Sequence, residues 1–199
     1  MYRAAALLLI LIVGSCSSTQ SPPRNLNDAC HIRAERPQWF DAMSRTESRW
    51  GVPVAVQMAT IWRESMFVAD ARTPRTYFLG IIPTGRISSA YGFAQAIDGT
   101  WDWYKDANNR WFASRDDFDD ASDFVGWYMN ETLKRNGIPL NDAYRQYLAY
   151  HEGHTGYARG SYNQKAFLLR AATQVRDQAA QYDRQLQSCG GRPAPRFRS

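Results

Sequence analysis

A mainly α fold is predicted by two features of the chain: apolar side chains recur at steps of three and four through most of residues 29–189, and glycines or prolines fall where those runs stop. No internal repeat is visible, and the length suits one domain with a sizeable core. Trp39, Met43, Thr46 and Trp50 step by four, three and four, and Gly51 ends that helix. Pro53 suits the first turn of the next, whose stripe runs Val54, Met58, Ile61. Residues 72–89 carry two prolines, two glycines and no sustained period, which predicts a long loop with a functional role. Phe118, Ala121, Val125, Tyr128 and Thr132 resume the helical spacing, and Gly137 stops it. Tyr144, Tyr147, Leu148 and His151 form another face, after Asn141 as N-cap. Leu168, Ala171, Val175, Tyr182 and Leu186 mark a long last helix starting near Ser161.

The N-terminal end reads differently. One positive charge at Arg3 precedes an unbroken apolar run from Ala4 to Val13, then Gly14 and Ser15 before Cys16. This is the pattern of a secretory signal, too short to span a bilayer comfortably. Val13-Gly14-Ser15-Cys16 resembles a bacterial lipobox, which implies that residues 1–15 are a lipoprotein signal peptide and that Cys16 is lipidated. Several acyl chains on one residue exceed the roughly two-chain threshold for stable anchoring. Ser17 is not the aspartate associated with inner-membrane retention, so the expected location is the outer membrane, facing the periplasm. Residues 16–28, with paired prolines, are expected to form a flexible tether, 29–189 the folded domain and 190–199 a flexible tail.

With Cys16 lipidated, Cys30 and Cys189 remain, and export places them in an oxidising compartment, so they are expected to form a disulfide. Removing Arg3 from 24 basic residues, against 19 acidic, leaves a mature charge of +4. That mild excess fits an acidic polymer or a membrane surface as partner and lacks the dense basic stripe that nucleic-acid binding needs. No nucleotide, haem or flavin signature is visible, and no cofactor is expected. The abundant aromatics fit either a sugar-binding cleft or an aromatic-rich core.

Glu64 is the residue on which chemistry turns. It lies three positions beyond Ile61 near the end of its helix, at the edge of the apolar face. Desolvation disfavours a charged carboxyl, so its pKa is expected to rise toward the value a general acid needs near neutral pH. On spacing alone, a glutamate ending a helix is more often a surface group.

Three blocks carry a resemblance. Glu64-Ser65-Met66-Phe67 resembles the Glu-Ser-x-Phe signature of the soluble lytic transglycosylase domain, a lysozyme-like family that cuts the MurNAc-GlcNAc bond of peptidoglycan. Gly92-Phe93-Ala94-Gln95 is similar to its Gly-Leu-Met-Gln block, and Ala149-Tyr150-His151-Glu152-Gly153 to its Ala-Tyr-Asn-Ala-Gly block. The blocks follow in family order and span roughly Trp39 to Tyr162. The resemblance implies a two-lobed lysozyme-like helical domain with a substrate cleft, peptidoglycan strands as partner, and no metal. It implies Glu64 as acid/base, Tyr150 orienting the Glu64 carboxyl through its hydroxyl, Ser65 bonding a sugar or its lactyl group, and Gly92, Phe93, Gln95 and His151 at the glycan site. Phe93 and Ala94 stand for leucine and methionine, and His151 and Glu152 for asparagine and alanine, which changes pocket shape.

Ordinary glycosidases use two carboxyl groups. Lytic transglycosylases, as the resemblance implies, use one, because the substrate's acetamido group stabilises the positive centre and its own 6-hydroxyl attacks. A hydrolytic muramidase resembling goose-type lysozyme is the alternative, with Asp70, Asp98 or Glu152 positioning a water. A non-catalytic peptidoglycan-binding lipoprotein is another. A zinc enzyme is disfavoured, because His151 and His154 are three apart across Gly153 where the metalloprotease pattern needs four. Arg72, Arg75 and Arg86 are candidates to meet stem-peptide carboxylates, solvated loop arginines being the commoner reading.

Overall fold

The computed structural model describes residues 21–79 and 82–189. The expected signal peptide, the lipidation site Cys16 and the tail from 190 lie outside them. Helices follow in chain order as α1 (Ala29–Glu35), α2 (Pro37–Trp50), α3 (Val54–Ser65), α4 (Asp98–Asn108), α5 (Phe118–Asn136), α6 (Ala143–Ala158) and α7 (Ala166–Ser188). A hairpin of β1 (Arg75–Phe78) and β2 (Ile82–Arg86) sits between α3 and α4. The mainly α expectation holds. None of the helices among the described residues is long and apolar enough to cross a membrane.

α3 is the axis of the core. Every residue from Val54 to Ile61 is buried, Gln57 and Thr60 included, so the helix is enclosed on all sides and not by one stripe. Buried polar groups must be paired, and here they join three helices. Gln57 Nε2 donates to Met43 O at 3.1 Å and Val52 O at 2.8 Å, while its Oε1 accepts from Ser122 Oγ, which meets Thr46 Oγ1 at 3.0 Å. Gly126 of α5 lets α2 approach closely: a Cβ there would stand 2.3 Å from Thr46 Cγ2. α7 covers the other side of α3 and packs on α6.

The helix ends mostly follow the sequence signals. Gly51 and Gly137 take left-handed φ values of 80° and 67° and close α2 and α5. Pro53 stands one residue before the first helical turn of α3. The cap of α6 is Asp142, not Asn141, because its carboxylate accepts from Arg145 N at 3.0 Å. Ser161 begins a short 3₁₀ turn, Ser161–Gln164, and α7 starts only at Ala166. α1 and α4 were not foreseen, since each buries only two residues and shows no periodic run.

Two further expectations are corrected. The segment 72–89 is a hairpin and not an irregular loop. Thr76 pairs with Gly85 and Tyr77 with Pro83, which leaves Thr84 as the extra residue of a bulge. A bulge tolerates proline and glycine in a strand, and those two residues hid the strand from its pattern. From Ser21 onward the stretch read as a tether is docked: Arg36 Nη2 donates to Ser21 O at 2.7 Å, and Gln181 and Gln185 donate to Asn27 O.

Cys30 and Cys189 form a disulfide that joins α1 to the end of α7 across 159 positions of sequence. Closing so long a loop restricts the unfolded chain, and loss of the bridge is expected to lower stability by about 2–5 kcal/mol. Urea unfolding with and without reductant checks this, and an unchanged midpoint would contradict it.

Candidate active site

Glu64 occupies the last turn of α3, next to a sharp change of direction. Met66 and Phe67 both take left-handed backbone, with φ of 53° and 60°, a conformation that is unfavourable for side chains larger than asparagine. Phe67 is fully buried and stacks on Trp39 at 5.9 Å, so burial holds the turn against its strain. The Glu-Ser-x-Phe block thereby acquires a physical sense: the phenylalanine pins the chain, and the carboxyl three residues earlier is fixed with it.

Glu64 is partly buried, and desolvation of its carboxyl pushes its pKa up to about 7. A hydrogen bond from the Tyr147 phenol and the charge of Arg63 oppose the shift without cancelling it. The partial negative charge at a helix C-terminus acts in the same direction as burial. The Tyr147 phenol is itself raised, first by its own burial and then by Glu64.

Tyr150 does not make the contact expected of it. Its hydroxyl donates to Ala94 O at 2.6 Å, and the phenol that lowers the Glu64 pKa is that of Tyr147, one helical turn earlier on α6. Tyr150 stays close enough for the Glu64 charge to raise its phenol, after burial has done most of the work. The i, i+3 spacing of the two tyrosines was visible in sequence, but nothing there told which phenol would reach the carboxyl.

The Gly92–Gln95 block forms a tight turn. Gly92 has φ of 81°, and a Cβ on it would lie 2.0 Å from Arg115 O, so only glycine fits. Phe93 was assigned to the glycan site, but it is 1% exposed and packs edge-on against Trp39 and Phe118 at 5.3 and 5.1 Å. It belongs to the core. Gln95 Nε2 donates to Ala71 O at 2.9 Å and Gly92 O at 2.8 Å, which leaves its side-chain carbonyl without a partner among the described residues. Ser65 is buried, and its hydroxyl donates back to Ile61 O at 3.2 Å, so toward a sugar it can only accept.

A cavity of about 200 Å³ opens beside this turn, walled by Gln95, Thr100, Tyr128, Tyr150, His151 and Glu152 among others. Glu64 does not line it; Tyr150 links the two, facing the cavity and feeling the carboxyl. A larger hollow of about 360 Å³ borders Ser44, Arg45, Ser48 and Arg49. With one face of α2 as its only wall, it cannot enclose a sugar chain.

The candidate second carboxylates are ion-paired or exposed. Asp98 pairs with Arg115 at 2.8 Å, Glu152 with Lys165 at 2.7 Å, and Asp70 is exposed. Arg72 stacks over Tyr91 at 4.0 Å, and Arg86 bonds Thr73 O. Among the described residues no three His, Cys, Asp or Glu side chains converge as metal ligands. His151 Nδ1 faces Glu152 at 3.2 Å, while His154 Nε2 meets Thr132 Oγ1 at 3.0 Å.

Comparison with protein families matches residues 4–189 to the family described as transglycosylase SLT domain. Comparison with curated proteins finds no match.

A raised carboxyl pKa is also a stability statement. Between about 4.5 and about 7 the folded protein keeps a proton on Glu64 that the unfolded chain has lost, so stability falls as pH rises through that window. Glu64→Gln removes the titration and is expected to stabilise the protein at pH above 7, by on the order of 3 kcal/mol relative to its effect below pH 4.5. Thermal unfolding of both proteins across this range checks it; a pH-independent difference would contradict the burial.

Proposed function

Because the chain belongs to the transglycosylase SLT domain family, we propose that it cleaves the β-1,4 bond between MurNAc and GlcNAc and closes a 1,6-anhydro ring on MurNAc, with Glu64 as its one proton donor and acceptor. The family carries lytic transglycosylase-type activity on peptidoglycan; the bond, the product and the glutamate are our reading. The observation that carries it is the Glu64 carboxyl, raised by desolvation to about 7 and electrostatically coupled to Tyr150, which lines the cavity.

A carboxyl with that pKa is half protonated near neutral pH, so it can give a proton and take one back with little driving force lost either way. In the first step it protonates the leaving glycosidic oxygen, and the substrate's acetamido group supports the anomeric carbon. The carboxylate left behind keeps the Tyr147 hydrogen bond, which stabilises its charge. In the second step it removes the proton of the 6-hydroxyl, whose oxygen closes on the anomeric carbon. One proton leaves the enzyme, one returns, and no water is consumed. An internal hydroxyl held near the anomeric carbon has a large effective molarity over solvent. The pairing of Asp98 with Arg115 and of Glu152 with Lys165 favours this route over a second-carboxylate hydrolysis.

We extend the reading to location. The apolar run 4–13 and the lipobox-like approach to Cys16 support an outer-membrane lipoprotein facing the periplasm. Lipid on Cys16 would hold Ser21, the first described residue, within about 18 Å of its anchor. The enzyme would then work on the wall close to that membrane.

Glu64→Gln is expected to keep the fold and release no muropeptides from purified sacculi. Wild-type products read by mass should be one water lighter than a hydrolase's, and reducing ends instead would overturn the lyase reading. Activity should fall as pH rises through about 7, where the acid form is lost. Tyr147→Phe removes a bond that favours the charged form, so this limb should move to higher pH, with kcat down about tenfold. Metabolic palmitate labelling is expected in the wild type and not in Cys16→Ser; equal labelling would remove the anchor.

A further inference from the structure

Glu152 takes no part in the chemistry above, yet its side chain is only 4% exposed and stands at the cavity wall. Lys165 Nζ donates to Oε1 at 2.7 Å and to Oε2 at 2.9 Å, and the Ser161 hydroxyl donates to Oε2. Burial opposes the charge on this carboxyl, but Lys165, Ser161 and His151 outweigh it and hold the pKa below the usual value. The group is therefore an ionised, clamped acceptor.

What remains is the face of Oε1 toward His151 Nδ1, at 3.2 Å. A carboxylate only accepts, and a neutral imidazole carries a single N–H. The contact puts that hydrogen on Nδ1 and leaves the lone pair on Nε2. The ring lies edge-on to Phe167 at 5.8 Å, and His151 also borders the cavity.

We propose that Glu152 is a positioning residue that fixes the Nδ1–H form of His151, so that His151 Nε2 accepts a hydrogen bond from a hydroxyl or amide N–H of the glycan in the cavity. This rests on the reading of that cavity as the seat of a peptidoglycan strand. A side-chain amide at the same position could turn to offer either a donor or an acceptor; a histidine held in one tautomer selects donors.

The test uses the full mature chain carrying Glu64→Gln, with soluble uncross-linked glycan strands as the probe. Heteronuclear NMR in mildly alkaline buffer, where an imidazole is neutral, is expected to show a protonated Nδ1 and a lone-pair Nε2 on His151, with the Nε2 signal moving as strands are added. In Glu152→Gln the amide oxygen stays with Lys165 and Ser161 and the NH₂ turns to His151, so the tautomer should reverse. Strand affinity should then fall by about three- to tenfold, the size of one hydrogen bond. His151→Phe, a change at an exposed ring that leaves the Glu152–Lys165 pair in place, should show the same fall. A wild-type ring protonated at Nε2, strands that do not bind, or a His151→Phe variant that binds as well as its parent would each overturn the proposal. Strand binding with the expected tautomer, but no turnover by the chain with Glu64 intact, would support this proposal and overturn only the catalytic reading.

Discussion

The indole of Trp39 holds together the parts that make a site. It stacks on Phe118 at 4.4 Å and on Phe67 at 5.9 Å, and Phe93 meets it edge-on at 5.3 Å. These rings come from α2, from the start of α5, from the turn after α3 and from the Gly92–Gln95 turn. Each aromatic pair adds about 0.5–1.5 kcal/mol beyond simple burial. That energy holds two consecutive left-handed residues in place, and through them the direction in which α3 ends.

The position of a carboxyl does not set its affinity for the proton; its surroundings do. Here two influences oppose each other. Desolvation drives Glu64 toward the neutral form, while the Tyr147 phenol and Arg63 favour the charged form, and the balance falls at about 7. Without the phenol and the arginine, the pKa of the carboxyl would lie higher still. In open water it would have none to give at neutral pH. Glu152, by contrast, is buried in direct contact with a lysine and stays ionised, which suits it to orienting a neighbour and not to exchanging protons.

Much of this was legible in the chain. α2, α3 and α5 have long periodic faces, and Gly51, Pro53 and Gly137 mark one end of each, whereas the left-handed Met66 that closes α3 carries no such signal. The raised pKa of Glu64 was partly legible from a carboxyl at the edge of an apolar face, but spacing alone left a surface group the commoner reading. Other features depend on tertiary contacts that sequence spacing does not encode. Tyr147 and Tyr150 share one helical face, and spacing does not tell that Tyr150 donates to Ala94 O while Tyr147 is the phenol that lowers the Glu64 pKa. Phe93 lies in the expected block, but its ring turns inward because Trp39 and Phe118 leave room for it there. The hairpin was hidden because its second strand carries Pro83 and Gly85 around a bulge.

The bridge between Cys30 and Cys189 has a mechanical meaning. The Cα atoms of the two cysteines lie 6.0 Å apart, so the stretch from Cys30 to Cys189 begins and ends at neighbouring points. Tension between any residue before Cys30 and any residue after Cys189 runs through the sulfur–sulfur bond and bypasses the helices in between. A domain pulled from both flanks would therefore keep its shape under loads that would unravel the same helices once the bridge was reduced.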